Sequence, residues 1–386
     1  MMKKRVFLIV LDSIGIGSLP DWQDFDDTES NTLGHIAQAV GGLSLPHMES
    51  LGLGNIIPIQ GVSPVSDPRG SWGRGMLSTC GKDTTAGHWE MMGIVLERGF
   101  PTYPQGFPED LIRDLEDAFG IGILGTKPAS GTVIIEELGE EHLRTKKPIV
   151  YTSADSVVQI ACHEAVYCNE ELYELCRKAR KVCQGRHGVG RVIARPFRGT
   201  PGHFERTAYR KDFSLTPPLP NLLDEMQKAQ IVTVGVGKIS DIFAAQFLDV
   251  SYPLKGNPLC IGKTEELLAD RGNDGFFFVN LVDFDMLYGH RNDPQGDAKA
   301  LEEFDRCLPD LLNHMKDSDL LIITADHGND PTTSSTDHNR EYVPILSYSP
   351  SLKGRGLGDR LTLGDIGATA YQWLTGKKSP LGTGWL

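Results

Sequence analysis

The length, composition and charge of the chain set limits on its architecture and its partners. It has 386 residues, of which 40% are hydrophobic and 23% charged, values typical of a globular protein that is long enough to predict two domains. The formal net charge of −13 disfavours a nucleic-acid-binding protein, which would present a basic face, and means that an anionic substrate needs local positive charge to bind.

The first predicted element is a buried strand at RVFLIVL (5–11). The opening MMKKRVFLIVLDSIG superficially resembles a signal peptide, but its apolar run is too short and ends at Asp12 without a small-residue cleavage pattern. No run approaches the length needed to span a bilayer. The seven cysteines are scattered and form no C-x-x-C pair, which favours free thiols in a reducing compartment. We therefore expect a cytoplasmic protein with no membrane partner.

Strands and helices alternate along the rest of the chain, which indicates an α/β fold. Further strands are predicted at 230–237, 276–282 and 319–325. Helices are predicted at 31–40, 263–270 and 298–315. Acids follow three of the predicted strands: Asp12, Asp283 with Asp285, and Asp326. In such sheets ligands bind outside the carboxyl ends of the strands, so these acids are candidate site residues.

The middle of the chain differs from its two ends. It contains the strand patterns KPIVYTS and RVIARPF, the helical pattern NEELYELCRKARKV and many arginines. Because strand-end acids occur both before and after this block, an inserted domain explains the order better than two domains in series. We predict a core formed by residues 1–98 and 216–386, with an α+β domain inserted at 99–215.

Acids and histidines near strand ends are the strongest chemical signal. The set comprises Asp12, Asp285, His290, Asp326, His327, Asp337 and His338. Carboxylate and imidazole together suit manganese, zinc or iron, and the set is large enough for two metals, a common arrangement in phosphoryl or ester transfer. The alternative to a metal site is that each Asp caps a turn and each His packs locally. This alternative explains single residues better than it explains the whole set.

The segment GKDTTAGHWEMMG (81–93) places two threonines, Thr84 and Thr85, ahead of an apolar patch. Taken alone it predicts a helix cap, since Thr is favoured at that position. Beside a two-metal set a nucleophile is favoured instead, because a metal activates a hydroxyl and a helix N-terminus holds phosphate. The residues themselves leave open which threonine would act.

Motifs along essentially the whole chain resemble the bacterial phosphopentomutases of the alkaline-phosphatase superfamily. They are VLDSIGIG, GKDTTAGHWEMMG, KPASGT, YTSADSVVQIA, GRVIARPF, GKISDIF, NLVDFDMLYGHRNDPQG, ITADHGNDP and TDHNREYVP. Those of the middle block separate this family from the cofactor-independent phosphoglycerate mutases. The resemblance implies an alkaline-phosphatase-like core sheet with an inserted α+β cap domain.

The resemblance also implies roles for individual residues. Thr84 would carry phosphate, although the family commonly has Met-Thr where this chain has Thr85 and Ala86. One Mn²⁺ would be held by Asp12, Asp326, His327 and the Thr84 oxygen. The other would be held by Asp285, His290 and His338, with Asp283 and Asp337 outside both sets. Sugar hydroxyls would bind Ser153 and Asp155, and the distal phosphate would bind Arg191, Arg206 and Lys238.

The implied activity is the interconversion of (deoxy)ribose 1-phosphate and (deoxy)ribose 5-phosphate through a phosphothreonine and a bisphosphate. A sugar 1,6-bisphosphate would prime the enzyme, and the other partners would be small pentose phosphates. Two alternatives stay open: a phosphatase or phosphodiesterase, in which water accepts the phosphate, and a non-catalytic metal-binding protein. The arginines of the middle block favour the mutase, because it needs a second phosphate site. The sequence predicts no oligomeric state.

Overall fold

A computed structural model, which describes residues 4–153 and 155–386, divides the chain into two units. The core unit consists of Met1–Gly99 and Pro217–Leu386, and the middle unit of Phe100–Thr216. No helix in the described part of the chain is long and apolar enough to cross a membrane.

The elements follow one another in the order of the printed sequence. The strands are β1 Arg5–Leu11, β2 Ser71–Gly75, β3 Leu124–Pro128, β4 Ile149–Thr152, β5 Val157–His163, β6 Arg191–Thr200, β7 His203–Arg206, β8 Lys211–Ser214, β9 Thr233–Val236, β10 Val250–Tyr252, β11 Gly275–Leu281, β12 Asp319–Thr324, β13 Val343–Tyr348 and β14 Gly356–Arg360. The helices are α1 Thr32–Ala39, α2 Pro46–Leu51, α3 Thr84–Met91, α4 Glu109–Phe119, α5 Gly131–Thr145, α6 Asn169–Val182, α7 Leu222–Lys228, α8 Ile239–Ile242, α9 Asn257–Ala269, α10 Pro294–Asn313 and α11 Gly364–Thr375.

The core unit is built on a mixed sheet with the strand order β10-β9-β11-β1-β12-β13-β2-β14. Neighbours from β10 to β12 are parallel, whereas β13 runs antiparallel to both β12 and β2. Every residue of β1, β11 and β12 is buried, as continuous apolar runs covered on both faces require. The predicted α/β fold class is confirmed.

The strand register brings the carboxyl ends of the parallel strands to one edge of this sheet. Leu11, at the end of β1, pairs with Leu281 at the end of β11, and Val10 pairs with Thr324 at the end of β12. At the opposite ends of β1 and β12, the guanidinium of Arg5 forms a buried ion pair with Asp319 at 2.6 Å. The acids that follow the strands therefore emerge together, away from this ion pair.

The middle unit is built on a second sheet with the strand order β3-β4-β5-β6-β7, in which β8 also pairs with β6. Alternate residues of its strands enter two hydrophobic clusters, as the two-residue period of a strand requires. Val158 and Ile160 join a cluster with side chains of α4 and α6. Ala161 and Tyr151 join a cluster with Ile134 and neighbouring residues of α5. Helices therefore cover both faces of this sheet.

Candidate active site

Short connections after the core strands carry the predicted metal ligands. Asp12 follows β1 directly, and Asp326 with His327 follow β12. After β11, Asp285 lies in a single π-helical turn (Phe284–Tyr288) and His290 in a 3₁₀ turn (Gly289–Arg291). Irregular helical turns of this kind are frequent at functional sites, because they re-aim side chains within a few residues.

The first group of candidate ligands consists of Asp12, Asp326 and His327, none of which is exposed to solvent. Nε2 of His327 lies 3.5 Å from Oδ1 of Asp12 and 3.4 Å from Oδ2 of Asp326. Neither of those two carboxylate oxygens has a hydrogen-bond partner among the described residues, although Nδ1 of His88 approaches Oδ2 of Asp326 to 3.1 Å. Nδ1 of His327 donates to the carbonyl of Gly328 at 3.0 Å, which leaves Nε2 as the ligand atom. Orphaned buried oxygens facing an imidazole nitrogen fit a divalent cation.

The second group consists of Asp285, His290 and His338, and its histidines are partly exposed. Nε2 of His290 lies 3.2 Å from Oδ2 of Asp285, and Nε2 of His338 lies 3.3 Å from Oδ1. Nδ1 of His290 donates to the carbonyl of Thr336 at 2.7 Å, so Nε2 is again free to ligate. Burial opposes ionisation of Asp285, but hydrogen bonds from His290 and His338 hold its pKa well below the usual range.

The two groups are adjacent and share an excess of negative charge. The rings of His327 and His338 stack with their centroids 4.0 Å apart. Burial, followed by repulsion from Asp326 and Asp285, raises the pKa of Asp12 to about 7. Two divalent cations would neutralise this charge, and oxygen and nitrogen ligands without cysteine are compatible with manganese.

Thr84 faces the first group from the start of α3. It is 7% exposed, and its Oγ1 lies 3.3 Å from Nε2 of His327. The cap of α3 is Asp83, whose side chain accepts a hydrogen bond from the backbone N–H of Ala86 at 3.1 Å. Thr84 is therefore the first residue of the helix rather than its cap, and Thr85, the second, is only partly buried.

Three further charged residues near these strand ends, Lys238, Asp283 and Asp337, lie outside the two ligand groups. Lys238 follows β9 and is exposed, and its charge lowers the pKa of Asp12. Asp283 accepts a hydrogen bond from the backbone N–H of Asn257 at 2.7 Å, and its own N–H donates to the Asn257 side chain. Asp337 pairs with Lys82 at 3.3 Å. Neither Asp283 nor Asp337 belongs to a ligand group.

The predicted substrate-binding residues other than Lys238 lie in the middle unit. Ser153 and Asp155 follow β4, Arg191 begins β6 and Arg206 ends β7. The structure brings Arg191 to within 3.5 Å of Asp155 and 3.6 Å of Asp212. Arg206 is exposed and has no ion-pair partner within the described ranges. Arg206 is thus available for an anion, whereas Arg191 already faces two carboxylates.

Sequence reasoning missed several buried polar residues around the ligands. His88 and Asn280 adjoin the first group, and the amide of Asn329 donates to Asp285 at 2.9 Å. The guanidinium of Arg340 donates to the carbonyls of residues 77, 79 and 81, three to seven residues before Thr84. Two signals were available: His88 lies one helical turn after Thr84, and Asn280 interrupts the apolar run FFFVNLV.

Comparison with known proteins gives a consistent family assignment. The model of the metalloenzyme superfamily matches residues 4–378. The phosphopentomutase of Caldanaerobacter subterraneus subsp. tengcongensis is 56% identical over 369 residues, which cover 95% of this chain and 93% of the relative. That of Dictyoglomus turgidum is 54% identical over 371 residues, covering 96% and 94%. Among solved structures, a Leishmania mexicana phosphoglycerate mutase covers 98% of this chain and 96% of its own at 12% identity, with a TM-score of 0.48. The two phosphopentomutases confirm the resemblance, and this chain belongs to the phosphopentomutase family of the metalloenzyme superfamily.

Proposed function

We propose that this enzyme interconverts (deoxy)ribose 1-phosphate and (deoxy)ribose 5-phosphate through a phosphothreonine at Thr84 and a bisphosphate intermediate. Membership of the phosphopentomutase family supports an isomerase that acts on small sugar phosphates. One observation supports the finer assignment: Oγ1 of Thr84 lies 3.3 Å from Nε2 of His327, which also faces Oδ1 of Asp12, a buried carboxylate oxygen without a hydrogen-bond partner among the described residues. A hydroxyl at that place is positioned to accept and return a phosphoryl group.

Two Mn²⁺ ions are the proposed cofactors. Asp12, Asp326, His327 and Thr84 would hold one ion. Asp285, His290 and His338 would hold the other. Bound as a pair, such ions polarise phosphoryl oxygens and lower the pKa of an attacking hydroxyl.

The chain's own groups then account for the two transfers. In the resting enzyme Thr84 carries phosphate, and the free hydroxyl of the sugar phosphate attacks the phosphorus, so that the bond to Oγ1 breaks and a bisphosphate forms. The bisphosphate reorients, and Oγ1 of Thr84 attacks its other phosphorus, which releases the isomer and restores the phosphothreonine. The N-terminus of α3 stabilises the phosphate on Thr84 through the helix dipole. A sugar 1,6-bisphosphate would load an unphosphorylated Thr84 by the same attack.

Recognition of the rest of the substrate is assigned to the cap domain predicted at residues 99–215 and to Lys238. Each planar guanidinium group of Arg191 and Arg206 can bind two oxygens of one phosphate in a bidentate manner. Lys238 adds a further positive charge for the same phosphate. The Asp155 carboxylate would accept hydrogen bonds from sugar hydroxyls, and the Ser153 hydroxyl would donate or accept them. A second phosphate site is what a mutase needs and a phosphatase does not.

Incubation of the purified chain with ribose 1-phosphate and Mn²⁺ tests the proposal. We expect ribose 5-phosphate as the main product, and phosphopeptide mass spectrometry of residues 83–98 should place phosphate on Thr84. Thr84→Ala should abolish turnover and labelling, whereas the matched control Thr85→Ala should keep both. Inorganic phosphate as the main product would favour a phosphatase, and phosphate on Thr85 would overturn the choice of nucleophile. A chain that never takes up phosphate would favour the non-catalytic alternative.

A further inference from the structure

Two fully buried polar side chains, His88 and Asn280, lie behind the first ligand group and belong to neither group. His88 is in α3, one turn after Thr84, and Asn280 is the second-last residue of β11, opposite Val10 of β1. A strand interior that is otherwise apolar has no structural need for an amide. We refer to the two side chains together as the His88–Asn280 bridge.

The hydrogen bonds of the bridge determine where its protons lie. Nδ2 of Asn280 is 2.9 Å from Oδ2 of Asp12, and a carboxylate only accepts, so this amide atom is the nitrogen. The same nitrogen is 3.3 Å from Nε2 of His88, which must therefore accept its second proton. Nδ1 of His88 is then the donor nitrogen, and it donates to the backbone carbonyl of Thr84 at 2.9 Å.

The bridge contacts Thr84 and the two carboxylates of the first group. Besides the contacts to Asp12 and Thr84, Nδ1 of His88 lies 3.1 Å from Oδ2 of Asp326. The other oxygen of Asp326 accepts the backbone N–H of Ser13 at 3.0 Å. Asp326 is thus contacted at both oxygens and Asp12 at one, whereas Oδ1 of Asp12 faces His327 and has no hydrogen-bond partner among the described residues.

The second ligand group has one matching contact. Nδ2 of Asn329 donates to Oδ1 of Asp285 at 2.9 Å, the same distance as from Asn280 to Asp12. It also lies 3.3 Å from Nδ1 of His290. Each group therefore has a buried asparagine that donates to one of its carboxylates. Replacing one asparagine should weaken one metal site, and the other site then serves as the control.

We propose that His88 and Asn280 are positioning residues that hold Asp12, Asp326 and Thr84 in register, so that one metal and the nucleophile occupy fixed places. Mutation of a residue that orients a metal ligand commonly lowers metal affinity or activity by about 10–100-fold. The effect on metal binding follows from the contacts, and the effect on turnover rests on the proposed function.

Titration with Mn²⁺, with free metal followed by its electron paramagnetic resonance signal, tests the metal-binding part. We expect two sites in the unaltered chain, and we expect Asn280→Ala to weaken one of them by about 10–100-fold. Asn329→Ala should weaken the other, and the double variant both. Asn221→Ala is the matched control, since this buried asparagine caps α7 and touches neither group. If the alanine variant does not fold, the isosteric Asn280→Asp replaces it in the titration. This variant removes the amide donor and places a second carboxylate against Asp12.

Steady-state kinetics test the link to Thr84. His88→Asn keeps an amide donor close to the position of Nδ1, so it should retain more kcat than His88→Ala, with KM for ribose 1-phosphate nearly unchanged in both. Folded Asn280 and His88 variants that bind two Mn²⁺ like the Asn221→Ala control would overturn the proposal. Loss of one Mn²⁺ site in Asn280→Ala supports it even if the unaltered chain fails to interconvert pentose phosphates, a result that would refute only the proposed function.

Discussion

The two units differ in how they hold their candidate site residues. In the core unit, Asp12 and Asp326 are fully buried and are fixed by backbone register and by buried hydrogen bonds. In the middle unit, the side chains of Arg191 and Asp155 are 42% and 68% exposed and form ion pairs at 3.5 Å or longer. The buried residues of the core unit are preorganised, and their desolvation strengthens each electrostatic contact. The exposed residues of the middle unit can instead adjust to a ligand.

Among the variants that compare the two units, the largest effect is expected from removal of a buried ligand. Asp326→Ala should lower kcat on the order of 10³-fold, because metal ions supply several kcal/mol of transition-state stabilisation and each ~1.4 kcal/mol is a factor of ten. Metal content measured by mass spectrometry should fall by one ion. Unchanged activity with both ions retained would reject Asp326 as a ligand. The buried residues of the core unit would then not differ from the exposed residues of the middle unit in their importance for catalysis.

Gly87→Ala tests how tightly α3 is packed against the first site. A Cβ at this position would lie 2.3 Å from the backbone oxygen of Asp326, so the helix carrying Thr84 must shift. We expect a loss of about 1–3 kcal/mol in the free energy of urea-induced unfolding, together with reduced kcat. Gly262→Ala in α9 is the control, since its Cβ would meet nothing within 4 Å and should stabilise the helix slightly. Equal behaviour of both variants would contradict close packing at Gly87.

Arg206→Ala should affect substrate binding more than chemistry. We expect KM for ribose 1-phosphate to rise about 10-fold or more, since charge-assisted hydrogen bonds contribute roughly 1.5–3 kcal/mol, with kcat little changed and phosphate still attached to Thr84. Arg198→Ala removes a comparably exposed arginine, paired with Glu205, and should leave KM unaltered. An equal KM in the two variants would count against a phosphate-binding role for Arg206.

The smallest effect is expected at Asp155. Its ion pair with Arg191 is long and exposed, so Asp155→Ala should change the free energy of unfolding by no more than about 0.5 kcal/mol. A moderate rise in KM would then reflect lost contact with the sugar rather than damage to the fold. A marked fall in the melting temperature would show instead that this exposed pair has a structural role.

The sequence by itself determined much of the core. Continuous apolar runs predicted β1, β9, β11 and β12, since strands covered on both faces have no polar alternation. Because carboxyl ends of parallel strands meet at one edge, the acids that follow them were expected together. The two ligand sets that the family resemblance implies contain the same residues as the two groups in the structure. The pairing of β13 with β12 and β2 was not foreseen, because antiparallel partners distant in sequence leave no local signal.

Contacts between distant segments decided the rest. Within the first site, only the three-dimensional arrangement places Oγ1 of Thr84 beside His327 and leaves Thr85 in a less buried position. His88 and Asn280 are 192 residues apart, and each would pass for an isolated polar residue in its own segment. Local propensity and periodicity describe a helix or a strand one at a time, whereas a hydrogen bond between two buried side chains exists only after the sheet and helix have packed.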